Sequence, residues 1–174
     1  MKNWNFKWFY KIYKKRNSFL NSISWLISNT TFLFLFFTFC VLLFSLFKQD
    51  AGLSFKLFIN LSIALALIKI IVDKVIKKLT YHPRPYVSKT DVTPIGKLEQ
   101  SSTSPSGHTT GVVAAVAILI IYSPWFLVLI PLIPLIMWSR VYNGMHWPLD
   151  VFLGFILGLV FANLSFIITN LIFN

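Results

Sequence analysis

Three short polar stretches interrupt a largely apolar chain, and their residue types suit phosphate chemistry. The first runs from Lys77 to Arg84-Pro85. The second is Pro105-Ser106-Gly107-His108. The third is Ser139-Arg140, then His146, then Asp150. Lys77, Arg84 and Arg140 are three fixed cations. An arginine guanidinium is a planar fork that matches phosphate oxygens in bidentate fashion, whereas a lysine ammonium is a point charge. His108 and His146 titrate near neutral pH, so either can carry protons. Asp150 is the only carboxylate of the third stretch.

Local patterning suggests how these groups are held. Ser104 is placed to cap a helix with Pro105 at its first position. The amides of Ser106, Gly107 and His108 would then point out of a helix N-terminus, which is a ready anion site. Gly107 lets backbone approach a ligand closely. Asp150 falls in the first turn of a helix starting near Pro148 and can reach back to His146. These parts imply a two-step displacement. One histidine attacks phosphorus while Asp150 holds its other ring nitrogen, and the second histidine protonates the leaving oxygen. The cations and amides stabilise the equatorial oxygens. Water then hydrolyses the phosphohistidine, with His108 acting as base.

The elements that must carry these residues are membrane spans. The 174-residue chain is 56% hydrophobic and only 12% charged, against roughly 25% charged in soluble domains. Apolar runs over 19–47, 55–76, 107–122, 125–139 and 148–172 predict an all-α, integral-membrane helical bundle of about five transmembrane helices. A span needs roughly 20 residues, so the run 19–47 reads as one long or bent crossing. The whole of 1–174 reads as a single membrane-embedded domain. Residues 1–17, basic and aromatic, read as an amphipathic segment at the interface or, alternatively, as a disordered basic tail. No cleavable signal peptide is expected.

Five spans place the loop 78–104 and the loop 140–147 on one side, so the three polar stretches can converge. Lys69, Asp73 and Lys77 are spaced four apart on one helical face, with Lys69 and Asp73 a structural pair. Gly154 and Gly158 allow close helix packing. Cys40, the single cysteine, reads as a packing residue. A net charge of +11 suits lipid headgroups or a phosphorylated substrate. Nucleic acid is discounted, because the basic residues lie between apolar spans.

The motifs Lys77-x6-Arg84-Pro85, Pro105-Ser106-Gly107-His108 and Ser139-Arg140-x5-His146-x3-Asp150 resemble the three signatures of the type-2 phosphatidic acid phosphatase superfamily. All three match in order across 77–150. The resemblance implies a membrane lipid phosphatase with His146 as nucleophile, His108 as general acid and Asp150 as orienter. It implies Lys77, Arg84, Arg140, Ser106 and Gly107 as phosphate binders, with no cofactor and no metal. The short length and the Pro-Ser-Gly-His-Thr-Thr-Gly run also resemble bacterial undecaprenyl-diphosphatases of this superfamily. Related members act on phosphatidylglycerophosphate or the lipid A 1-phosphate.

Three other readings compete. A three-histidine metal site lacks any zinc-like spacing. A non-catalytic lipid-binding or transport protein fits poorly, since no inverted repeat is present. A vanadate-dependent haloperoxidase has a similar site but is a large soluble protein. His82 belongs to no motif and reads as a loop residue. Tyr142, Asn143 and Trp147 either shape the pocket or simply pack. The resemblance implies an active site on the outer face of the cytoplasmic membrane, whereas the positive-inside rule points to the cytoplasmic face.

Overall fold

The structure is a computed structural model that describes residues 3–173. Met1 and Lys2, part of the expected N-terminal segment, and Asn174 lie outside the described residues. The described residues form an all-helical membrane bundle, with α1 (Asn3–Tyr13), α2 (Ser18–Ile27) and α3 (Thr30–Lys48) first. A continuous rod follows, comprising α4 (Ala51–Leu67), a π-helical stretch (Ile68–Ile76) and α5 (Lys77–Leu79). Next come the short α6 (Pro85–Ser88), α7 (Gly107–Tyr122), a 3₁₀ stretch (Pro124–Leu129) leading into α8 (Leu132–Tyr142), and α9 (Pro148–Phe173).

Among the described residues, four helices are long and apolar enough to cross a bilayer: Thr30–Lys48, Ala51–Leu79, Pro124–Tyr142 and Pro148–Phe173. The fifth apolar rod, α7, has 16 residues, about a turn short of the usual span.

The run 19–47 holds one candidate crossing, as expected, but only its second half makes it. It breaks at Ser28-Asn29, where the Asn29 side chain accepts from the Phe32 amide and caps α3. A cap of this kind satisfies an amide that has no intrahelical partner. The α2 helix stays at the active-site end because its polar residues bond there. Asn21 Oδ1 accepts from the Tyr142 hydroxyl at 2.9 Å, and Ser24 Oγ donates to Asn143 Oδ1 at 2.7 Å. Only α3 makes the first crossing. The amphipathic reading of the N-terminus has a specific docking partner. In α1, Phe9 is fully buried and its ring lies 5.0 Å from that of Trp147. Asn5 Oδ1 accepts from the Leu149 amide at the start of α9.

The centre of the bundle is α7 against α9, with α4 packed on both. Its core includes Leu57, Ala64, Ala114, Ile118 and Phe161. Gly154 and Gly158 make the approach possible. A Cβ at Gly154 would stand 2.8 Å from the Ser106 carbonyl, and one at Gly158 2.6 Å from Val113 Cβ. Neither space admits a side chain, so these glycines set how tightly the helix bearing Asp150 meets the helix bearing His108.

Candidate active site

The second polar stretch enters α7 two residues later than its proline suggests. Ser106, not Ser104, is the N-cap, and its side chain accepts from the Thr109 amide. The Ser106 amide is not free either. It donates to the Asp150 carbonyl at 3.1 Å and so ties α7 to α9. Gly107 and His108 occupy the first turn, where helical amides lack intrahelical partners. A Cβ at Gly107 would lie 3.6 Å from Lys77 Nζ and 3.6 Å from Asp73 Oδ1. The first motif's lysine thus sits against the second motif's glycine.

The π-helical stretch before α5 carries Asp73. Its Oδ1 accepts from Lys77 Nζ at 2.8 Å, and its Oδ2 lies 3.1 Å from Lys69 Nζ. Asp73 is therefore more than a structural partner for Lys69, because it positions Lys77. Lys69 is largely exposed, whereas the Lys77 side chain is largely buried.

His146 is 1% exposed, on the loop between α8 and α9. Its Nδ1 is 2.7 Å from the Thr103 carbonyl and 3.2 Å from Thr103 Oγ1. Asp150 does not hold this ring directly, contrary to the spacing argument. Its Oδ2 is 4.0 Å from His146 Nδ1, beyond hydrogen-bond reach. That oxygen instead accepts from the Thr103 hydroxyl at 2.7 Å and from the Trp147 amide at 2.8 Å. A turn that caps its own helix has aimed the carboxylate at the backbone rather than at the ring. Burial pushes the His146 pKa well below its usual 6.5. Arg140, Arg84, Lys77 and His108 push it in the same direction. The ring is therefore neutral at pH 7, as a nucleophile requires.

The two arginines approach from different elements. Arg84, 1% exposed, donates Nε to the Ser101 carbonyl and Nη1 to the Met145 carbonyl, and its Nη2 meets Glu99 Oε2 at 2.6 Å. Arg140, 3% exposed, ends α8, and its Nη2 is 3.6 Å from Glu99 Oε1. Its Nε and Nη2 are buried and have no hydrogen-bond partner among the described residues. His108 contacts Thr30 Oγ1 through Nε2 at 3.0 Å. His82, read as a loop residue, lies with Nδ1 3.9 Å from Asp150 Oδ1.

The third motif's neighbours act as braces. Trp147 donates Nε1 to the Pro83 carbonyl at 3.0 Å and so links the first and third motifs. Asn143 donates Nδ2 to Ser28 Oγ at 2.7 Å. Thr103, Glu99 and Thr30 escaped the sequence reading. Thr30 had a visible signal, a polar residue in the middle of the apolar run 19–47. Thr103 and Glu99 had none beyond lying near the second motif.

Comparisons with known proteins bear on the family and the fold. The family model described as the PAP2 superfamily matches residues 55–173. An undecaprenyl-diphosphatase from Sulfolobus acidocaldarius is 35% identical over 119 residues, 65% of this chain and 53% of that protein. The chain spans about half the length of the curated relatives it matches. The crystal structure of Aquifex aeolicus LpxE superposes with a TM-score of 0.67 at 22% identity, covering 94% of this chain and 95% of the other. A transmembrane PAP2-type phosphatidylglycerolphosphate phosphatase from Bacillus subtilis gives a TM-score of 0.69 at 21% identity, covering 94% and 85%. At those identities the two structures bear on the fold alone.

Proposed function

The chain belongs to the PAP2 superfamily, and from that premise we propose that it hydrolyses undecaprenyl diphosphate to undecaprenyl phosphate through a phosphohistidine on His146. The observation that carries the phosphatase reading is Arg140. It is a buried guanidinium with two N–H-bearing nitrogens unpaired among the described residues, close enough to His146 to depress its pKa. Glu99 faces it at 3.6 Å without a hydrogen bond, and buried donors left unbonded are costly, so their persistence suits a site that takes an anion. The choice of lipid rests on the name of the Sulfolobus relative.

In the proposed reaction His146 Nε2 attacks the terminal phosphorus. The bond from that phosphorus to the bridging oxygen breaks, and His108 gives a proton to the departing lipid phosphate. Arg140, Lys77 and the first-turn amides at Gly107 and His108 hold the equatorial oxygens, with Ser106 fixing that turn and Arg84 holding the loops around it. His108 then takes a proton from water, which attacks the phosphohistidine and releases inorganic phosphate. Side chains supply the positive charge, so no metal is invoked. The site is proposed to face outward from the cytoplasmic membrane.

The test is phosphate release in detergent from a panel of undecaprenyl diphosphate, phosphatidylglycerophosphate and lipid A 1-phosphate. The diphosphate is expected to give the highest kcat/KM. A higher value for either other lipid would reassign the substrate, and release from none would leave a lipid-binding or transport protein. His146→Ala is expected to abolish turnover with the fold intact, and EDTA to leave it unchanged. Loss on chelation that zinc or magnesium restores would overturn the metal-free mechanism. Orientation is read by placing a cysteine at the exposed Lys97 and labelling intact cells with an impermeant maleimide. Protection there would put the site on the cytoplasmic face.

A further inference from the structure

Two groups of one residue, 43 positions away in sequence, meet the His146 ring. We propose that Thr103 is the positioning residue of His146, and that Asp150 acts on the ring only through the Thr103 hydroxyl. The inference rests on the reading of His146 as nucleophile.

The argument begins with donors and acceptors. A backbone carbonyl only accepts, so the 2.7 Å contact between the Thr103 carbonyl and His146 Nδ1 requires the ring proton on Nδ1. Nε2 is then left with its lone pair, in the tautomer that attack on phosphorus needs. The carbonyl alone therefore selects the tautomer, a task usually given to a carboxylate.

The hydroxyl has a second task. Thr103 Oγ1 carries one proton, and Asp150 Oδ2 accepts it at 2.7 Å. The lone pairs of Oγ1 are then free to face Nδ1–H at 3.2 Å. When Nε2 bonds to phosphorus and the lipid oxygen departs with its electron pair, the ring becomes cationic and Nδ1 keeps its proton. At that moment a hydroxyl polarised by a carboxylate is a better acceptor than a hydroxyl alone. Asp150, at 4.0 Å from Nδ1, has no hydrogen bond of its own to the ring.

The placement is rigid. Thr103 is fully buried. Its amide donates to the His82 carbonyl at 2.9 Å, and Asp150 is held from its other side by the Trp147 amide. The carboxylate's other titratable neighbour is His82, at 3.9 Å from Oδ1. His146 itself faces Arg140, Arg84, Lys77 and His108.

The experiment uses the full chain in detergent and two readouts. Nitrogen-15 NMR of labelled histidine, with His146 assigned by its loss in His146→Ala, reports the tautomer without any substrate. Protonated Nδ1 and bare Nε2 are expected in wild type and in Thr103→Val, which retains the carbonyl. A wild-type ring protonated at Nε2 would overturn the proposal, even if no lipid were turned over. That last outcome would instead defeat the functional reading while the tautomer still decides this one.

Kinetics test the hydroxyl. Thr103→Val is expected to lower kcat roughly 10- to 100-fold, the scale of one hydrogen bond to a charged group. KM should change far less. Thr103→Ser, which restores the hydroxyl, should recover most of the lost kcat. Asp150→Asn combined with Thr103→Val should be little worse than Thr103→Val alone, because both interrupt the same contact. A Thr103→Ser variant as slow as Thr103→Val would point to packing by the methyl group. Losses that multiply would mean that Asp150 reaches the ring independently. Either result would overturn the proposal.

Discussion

Arg84 and Arg140 are both buried beside the same Glu99, yet the protein treats them differently. Arg84 spends its fork on structure. Its nitrogens bond the Ser101 carbonyl, the Met145 carbonyl and Glu99, stitching the loop after α5 to the loop that carries His146. Arg140 leaves Nε and Nη2 without a hydrogen-bond partner among the described residues. A buried donor left unmade costs about 1–3 kcal/mol, and more when charged. The sequence motif presents these two residues as equivalent phosphate binders. The structure separates a cation that bonds the surrounding loops from one with two buried nitrogens that have no hydrogen-bond partner among the described residues.

The largest expected effect is on Arg140. Arg140→Ala should cost roughly 10²–10³ in kcat, the scale for removing one preorganised donor from a developing oxyanion. Its melting temperature in detergent should stay the same or rise, because two buried donors without a hydrogen-bond partner among the described residues have been removed. Arg140→Lys keeps the charge but lacks the fork, so it should recover little of the activity. Near-wild-type kcat/KM in Arg140→Lys would make Arg140 a span anchor, a task that lysine performs equally well.

Arg84 should show the opposite balance. Arg84→Ala strands two buried carbonyls and a carboxylate, so a loss of about 3 kcal/mol of stability is expected along with activity. The melting transition in detergent reads this directly. If Arg84→Ala melts like wild type while Arg140→Ala melts early, the contrast between the two residues is reversed.

Glu99 sharpens the comparison with the smallest effect. It is the carboxylate that both arginines face, and a phosphate entering the pocket must compete with it. Glu99→Gln should tighten inhibition by vanadate roughly two- to fivefold, a modest change because the Glu99 side chain is 34% exposed and its attraction is screened. Weaker vanadate inhibition would mean that Glu99 orients the arginines for phosphate rather than occupying their place.

The chemistry proposed for this site was already suggested by residue type before any fold was known. Residue type alone dictates that guanidinium forks bind phosphate, that histidines move protons near neutral pH, and that a 56% hydrophobic chain belongs in a bilayer. Span parity was enough to put the loops at 78–104 and 140–147 on one side. The motif spacings were enough to name His108, His146, Lys77, Arg84 and Arg140 as neighbours, because each sits within a turn or two of a helix end.

Tertiary structure decided the rest. The break at Ser28-Asn29 depends on Ser24 and Ser28 finding Asn143, more than a hundred residues away. Composition could not separate that arrangement from one bent crossing. Four-residue spacing brought Asp150 near His146 but not into contact. At a helix start the backbone amide of Trp147 competes for the same oxygen, and a local pattern cannot say which partner wins. Thr103 lies outside every motif and meets the ring from the loop that enters α7, whose start packs closely on α9 at Gly154. Which arginine fills its hydrogen bonds and which leaves two nitrogens unbonded was likewise set by where the carbonyls of Ser101 and Met145 come to rest. These are properties of backbone geometry rather than of residue type, and sequence spacing does not encode them.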